Sequence, residues 1–118
     1  MATINLTKGG FARRVANLDN IQSEWKFLGT RPALIDFYAK WCGPCQRLSP
    51  VLESISERYE GKVDIYKVDV DSEHELAAMF NILSIPTLLF IPLNGEPKRV
   101  SGAMTETQIK EILDSIIK

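Results

Sequence analysis

The 118-residue sequence predicts an α/β fold, with a mixed central sheet of about five strands flanked by helices on both faces. Three observations carry this expectation. The run Ala33 to Ala39 is almost continuously apolar, the pattern of a strand buried on both faces. Segments of two-fold alternation and segments of helical periodicity then take turns along the chain. Near the end, two strand-like runs flank Asn94-Gly95, a strong hairpin signal, so the final pair is antiparallel.

Residues 2–7 alternate weakly, with Ile4 and Leu6 pointing one way, which suits a short strand at a sheet edge. A helix then starts from Thr7, with Phe11, Val15 and Leu18 at helical spacing, although Gly9 and Gly10 weaken its first turn through backbone entropy. Residues 19–32 place Ile21, Trp25, Phe27 and Leu28 among polar residues and close on Gly29-Thr30-Arg31-Pro32. That segment reads as a helical turn followed by a break, its apolar groups covering the core. Pro32 and Lys40 bound the central strand Ala33–Ala39.

After the strand, Leu48, Val51, Leu52, Ile55 and Tyr59 recur at helical spacing with Glu53, Glu57 and Arg58 between them, a long amphipathic helix. Pro50 lies inside it and removes one backbone donor. A kink rather than an end is expected, because the apolar stripe continues to Tyr59 before Gly61 stops the helix.

Val63 to Val70 alternates, with Val63, Ile65, Lys67 and Asp69 on one face and Tyr66, Val68 and Val70 on the other. Ser72 and Glu75 have capping-box spacing ahead of a short helix carrying Leu76, Ala77, Met79 and Phe80, with His74 in its exposed first turn. Thr87–Ile91 and Pro97–Ser101 form the hairpin strands. A second capping box, Thr105 with Gln108, opens a helix whose stripe is Ile109, Ile112, Leu113, Ile116 and Ile117. The order is β-α-β-α-β-α-β-β-α, with no internal repeat or low-complexity linker, as expected of one domain across residues 1–118.

Composition narrows the function classes. Apolar residues make up 45% and charged residues 25%, enough for a real core and unlike a disordered chain. The formal net charge is −1, so no surplus of positive charge exists to neutralise phosphates, and nucleic acid is not expected as a partner. Residues 53–75 are acidic, a pattern that a solvated face explains. No apolar run approaches the roughly 20 residues needed to cross a bilayer. The opening MATINLTKGG lacks the basic start and apolar stretch of a secretory signal, so a cytoplasmic location is expected, or a periplasmic one where a signal has been removed.

The two cysteines both sit in Trp41-Cys42-Gly43-Pro44-Cys45. Cys42 falls at the junction of the buried strand and the long helix, where unpaired N–H groups and the helix dipole favour an anion. The anion here is a thiolate, the species that attacks a disulfide sulfur, and the C-x-x-C spacing puts Cys45 within reach of the resulting mixed disulfide. Gly43 permits close approach, and Pro44 fits an early helical position because the donor it lacks would have had no intrahelical partner. A structural staple is the first alternative, but so short a loop contributes only about 2 kcal/mol, against about 3 for fifteen residues. A zinc site is the second, and beyond the cysteines the only further soft ligand is His74.

Asp36 supports redox chemistry independently. A carboxylate in the middle of an apolar strand costs several kcal/mol unless it is paired or protonated. With its pKa raised by burial, it is placed to accept the Cys45 proton through a water. The structural alternative is an ion pair with Lys67 on the neighbouring strand. The two readings are compatible, since Lys67 would tune Asp36.

With these residues in place the chain resembles the thioredoxin family over roughly residues 4–117. The motif is WCGPC at 41–45; Asp36 and Lys67 match the family's buried acid and lysine, Pro50 its helix-kinking proline, Ile85-Pro86-Thr87 the loop with a cis-proline, and Gly95 and Gly102 two family glycines. The resemblance implies the thioredoxin fold and a shallow groove lined by Trp41, Gly43, Pro44, Ile85, Pro86 and the loop Ser101-Gly102-Ala103, across which an extended polypeptide lies. Ile85 can offer backbone groups for strand-like pairing, whereas Pro86 has no donor. The family also implies disulfide-containing protein substrates and recharging by a thioredoxin reductase or a membrane electron donor. No metal, organic cofactor or oligomer is demanded, so a monomer is expected whose redox centre is the Cys42–Cys45 disulfide.

Departures from the family pattern are Tyr38 in place of a frequent tryptophan, Gln46 in place of a lysine, Ser84 in place of glycine and Ser101 in place of an apolar residue. The segment 19–31 is longer than the family's. The leading expectation is a reductant of protein disulfides. The alternatives are a disulfide exchange protein of an oxidising compartment and a non-catalytic binding module of the same fold.

Overall fold

A computed structural model describes residues 3–117. Their elements are β1 (Ile4–Asn5), α1 (Lys8–Arg14), β2 (Ala33–Tyr38), α2 (Gly43–Arg58), β3 (Asp64–Asp69), α3 (His74–Met79), β4 (Thr87–Ile91), β5 (Lys98–Ser101) and α4 (Glu106–Ile116). A 3-10 turn covers Leu18–Asn20. Among the described residues the sheet has five strands in the order β1-β3-β2-β4-β5. Pairs β1·β3 and β2·β3 are parallel, and β2·β4 and β4·β5 are antiparallel. The mixed sheet and the edge position of β1 agree with the sequence expectation.

Alternation sends the two sides of β2 into two cores. Ala33, Ile35 and Phe37 join Phe11, Val15, Tyr66, Val68 and Leu76 on the face covered by α1 and α3. Leu34 joins Ile65, Leu88 and Phe90 on the other face, beneath Leu48, Leu52 and Ile55 of α2 and Ile109 and Leu113 of α4. All six residues of β2 except Tyr38 are buried, so the strand is a two-sided core strand that delivers the chain directly to the cysteines.

Local chemistry explains most element ends. Thr7 caps α1 by accepting a hydrogen bond from the Gly10 N–H at 3.0 Å. Gly10 is buried, and a Cβ there would lie 3.2 Å from the Leu6 side chain, so close packing favours glycine despite its helix cost. The helix ends at Arg14, short of the expected Leu18. Pro50 lies within α2, which continues through it to Arg58. The return strand starts at Lys98 rather than Pro97, because proline cannot donate to the ladder, and residues 92–97 form the connection in place of a two-residue turn.

The expected capping box at Ser72 and Glu75 does not form. The N-cap of α3 is Glu73, with no side-chain capping bond. Tertiary partners take these side chains instead: Glu73 accepts from the Lys8 backbone N–H at 2.8 Å, and Glu75 pairs with the Lys8 ammonium at 3.3 Å. At α4 the expected box is present, with both Thr105–Gln108 bonds in place. Thr105→Ala removes one of them and is expected to destabilise the protein by about 1 kcal/mol in chemical denaturation. A loss near zero would mean that packing alone holds the helix start.

The segment after α1 packs across the first core face. Ile21, Trp25 and Phe27 are partly buried against that cluster, as expected, while Leu28 is exposed. The Leu28 N–H bonds the Val15 carbonyl at 2.8 Å and ties the segment back to the end of α1.

Candidate active site

The strand β2 ends at Tyr38, and residues 39–42 carry the chain into α2. Cys42 is the N-cap of that helix. Its extended backbone (φ −87°, ψ 113°) aims the sulfur back over the first turn, where Sγ accepts from the Cys45 N–H at 3.2 Å. Pro44 occupies the first turn, as expected from its missing donor. Cys42 and Cys45 are joined by a disulfide with a Cα–Cα distance of 5.2 Å. Both are buried, packed with Ala39 and flanked by Tyr38, Val70 and Ile85.

The second side of the site is the turn before β4. The Ile85–Pro86 bond is cis, and the Ile85 carbonyl oxygen lies 3.9 Å from Cys42 Sγ. This turn is held from two directions. The buried Thr87 hydroxyl donates to the Ser84 carbonyl at 2.6 Å and lies 3.3 Å from Ser101 Oγ. The Gly102 N–H donates to the Pro86 carbonyl at 2.8 Å. Gly102 adopts φ +95°, a left-handed conformation that favours glycine. Ser101 is thereby joined to Thr87 and Gly102 to Pro86, while Ala103 is exposed beyond them. Trp41, Gly43 and Pro44 are exposed beside the sulfurs. Trp41 is 72% exposed, yet its indole N–H is oriented by a 2.9 Å bond to Asp71. Nothing in the sequence marks Asp71 for this part.

Asp36 is fully buried. Strand alternation puts it on the side of β2 that also carries Leu34, the face covered by α2. Burial pushes its carboxyl up to about 7, with the positive charge of Lys67 acting in the opposite direction. Lys67 is its register partner on β3, but the ion pair that is the structural alternative is not among the contacts of the described residues. Among the described residues, neither Asp36 oxygen has a hydrogen-bond partner. Lys67 Nζ instead donates to Ser49 Oγ on α2 at 3.0 Å and sits 4.4 Å from the centre of the Tyr38 ring. The ammonium is satisfied by a hydroxyl and an aromatic face, which leaves the carboxyl without a direct partner. Ser49 was not visible as a site residue in the sequence, where it is one polar position between apolar stripe residues.

Among the described residues, no group of three or more His, Cys, Asp or Glu side chains is placed to hold a metal ion. Also among these residues, no helix is long and apolar enough to cross a membrane.

A thioredoxin family model matches residues 4–115. The chain belongs to the thioredoxin family. It is 46% identical over 110 residues to a thioredoxin of Borreliella burgdorferi, covering 93% of each chain. To a thioredoxin of Staphylococcus haemolyticus it is 41% identical over 115 residues, 97% of each. A crystal structure of chloroplastic thioredoxin z superposes with a TM-score of 0.79 at 29% identity, over 98% of this chain and 95% of that one. The thioredoxin fold expected from the sequence is therefore present. The protein is a thiol–disulfide oxidoreductase of the protein-disulfide reductase kind, with a C-x-x-C pair at disulfide distance.

Proposed function

We propose that Cys42 is the nucleophile, Cys45 the resolving thiol and Asp36 the proton acceptor in the reduction of disulfides in protein substrates. The observation that carries this is the placement of Cys42 Sγ at the α2 N-terminus with the Cys45 N–H aimed at it. A negative charge at that sulfur is favoured by the helix dipole and by a fixed donor. In the reduced protein, the Cys42 thiolate attacks one sulfur of the substrate disulfide. A Cys42–substrate bond forms as the substrate S–S bond breaks, and the first substrate thiolate leaves and is protonated.

Cys45 then gives its proton to the Asp36 carboxylate through a water, and its thiolate attacks Cys42 Sγ. The Cys42–Cys45 bond forms, the mixed disulfide breaks, and the second substrate thiolate takes up a proton. Two electrons have passed from the dithiol to the substrate. Lys67 acts on Asp36 by its charge.

The polypeptide around the substrate disulfide lies in the groove of Trp41, Gly43, Pro44, Ile85, Pro86 and the Ser101–Ala103 loop. Ile85 supports this reading through the proximity of its carbonyl to Cys42. The electrons come from a thioredoxin reductase or a membrane donor, and the pair carries them without an organic cofactor. The protein works as a monomer, and a reductant of this type belongs in a reducing compartment, here the cytoplasm.

Cys45→Ser tests the division of labour. Incubated reduced with a disulfide-bonded protein, this variant is expected to accumulate a covalent adduct through Cys42, seen by mass under non-reducing conditions and released by dithiothreitol. Absence of the adduct, with Cys42 intact, would contradict the assignment of Cys45 as the resolving thiol.

A further inference from the structure

Asp36 and Lys67 face each other in the parallel register of β2 and β3, an arrangement that invites a direct ion pair. No hydrogen bond joins the two side chains among the described residues. The Lys67 ammonium has two neutral partners, Ser49 Oγ at 3.0 Å and the Tyr38 ring at 4.4 Å. The Asp36 oxygens have no hydrogen-bond partner among the described residues. A half-buried ammonium seeks an acceptor, and the one supplied here is a hydroxyl from a helix, fixed in place because α2 packs through Leu48 and Leu52 onto the sheet.

We propose that Ser49 is a positioning residue of the redox site: by accepting the Lys67 hydrogen bond it holds that charge off Asp36 and so sets how readily Asp36 takes up a proton. The inference rests on the proton-acceptor role of Asp36 proposed above. Lys67 acting only through space leaves the carboxyl a stronger base than a contacting ammonium would. Opposite charges at contact distance lower a carboxyl pKa by about 1–3 units, so the choice of partner by one lysine spans the range that decides whether Asp36 is protonated near neutrality.

The other ionisable groups around this lysine are few. Tyr38 stands beside it on β2, and Lys40, Asp69 and Glu73 share with it a shallow surface depression. From α2 comes the Ser49 hydroxyl, and β4 places the apolar Leu88 opposite Asp36 in the register. None of these contacts the carboxyl through a hydrogen bond, and Lys67 is the cation that acts on it.

The test is titration of the Asp36 side-chain carboxyl by carbon-13 NMR, together with the pH profile of disulfide reduction. In Ser49→Ala the ammonium loses its hydroxyl acceptor and moves to the unpartnered carboxylate, and alanine suits the helix. The Asp36 midpoint is expected to fall by about one pH unit, with the acid limb of the rate profile moving the same way. Ser49→Thr keeps the hydroxyl and is expected to restore the parent midpoint. Lys67→Met raises the midpoint, and adding Ser49→Ala to it changes nothing further, because the serine acts through the lysine.

A midpoint unchanged or raised in Ser49→Ala would overturn the proposal, as would an equal fall with methionine at position 67. Failure of the underlying reading looks different. Asp36→Asn would then leave the reduction rate untouched, whatever the carboxyl midpoint does in the Ser49 variants.

Discussion

Cys42→Ser is expected to bring disulfide reduction down to the rate of the reductant alone, a loss of at least about a thousandfold. A serine hydroxyl is not appreciably ionised near neutrality, and only a thiolate at the α2 N-terminus can form the first mixed disulfide. The comparison is made with dithiothreitol as electron source and a disulfide-bonded protein as substrate. Cys42 occupies a helix cap, and serine is itself a favoured cap, so the variant is expected to fold normally and keep its far-ultraviolet circular dichroism. Retained turnover in a folded Cys42→Ser protein would remove this cysteine as nucleophile and return the fold to the role of a binding module.

Asp36→Asn is expected to make the protein more stable and slower. The direction with pH follows from the raised carboxyl. Ordinary aspartate titrates near 3.8, and burial moves Asp36 to about 7 in the folded chain. Below pH 4 both states are protonated and the carboxyl adds no charge penalty. From about pH 4 to 7 the unfolded chain releases its proton while the folded one retains it, so stability falls as pH rises. Above the folded value the full penalty is present, on the order of 4 kcal/mol for a shift of about three units.

Asparagine cannot ionise and escapes this loss. Denaturant unfolding is therefore expected to show a gain of a few kcal/mol at pH 8 that shrinks toward zero at pH 4. Turnover is expected to fall by roughly tenfold at pH 7, less than the effect of a directly contacting base, since the proton travels through a water. Equal stability gains at both pH values would contradict the buried-carboxyl account, and unchanged turnover would remove Asp36 as proton acceptor.

Much of the framework was legible because it rests on short-range rules. The apolar run 33–39, the alternation of 63–70 and the stripes after Cys45 and Thr105 all correspond to observed elements. The Thr105–Gln108 box formed because its two bonds are local to one helix turn. The Ser72–Glu75 box had the same spacing and failed, because Glu73 and Glu75 found partners on Lys8, distant in sequence. Pattern reading has no access to that competition.

The site shows the same division. WCGPC and Asp36 stand out in the sequence because their chemistry is unusual where it occurs. The partner of Lys67 does not, because register alone points to Asp36, whereas the observed acceptor comes from a helix packed on the sheet. Asp71, which orients Trp41, and Thr87, which joins Ser84 to Ser101, are similarly set by tertiary contacts. The departures at Ser84 and Ser101 are linked through that one buried hydroxyl.

The central claim, that Cys42 and Cys45 form a cycling pair poised to reduce protein disulfides, is tested most directly by its redox equilibrium. The protein is equilibrated in dithiothreitol and glutathione buffers, free thiols are trapped by alkylation, and the alkylated and disulfide forms are counted by mass. Full interconversion is expected, with a reduction potential near the roughly −270 mV typical of thioredoxins as a class. A potential in the range of disulfide-forming proteins, about −120 to −180 mV, would contradict the assignment as a reductant. A pair that never exchanges with either buffer would contradict the redox cycle itself.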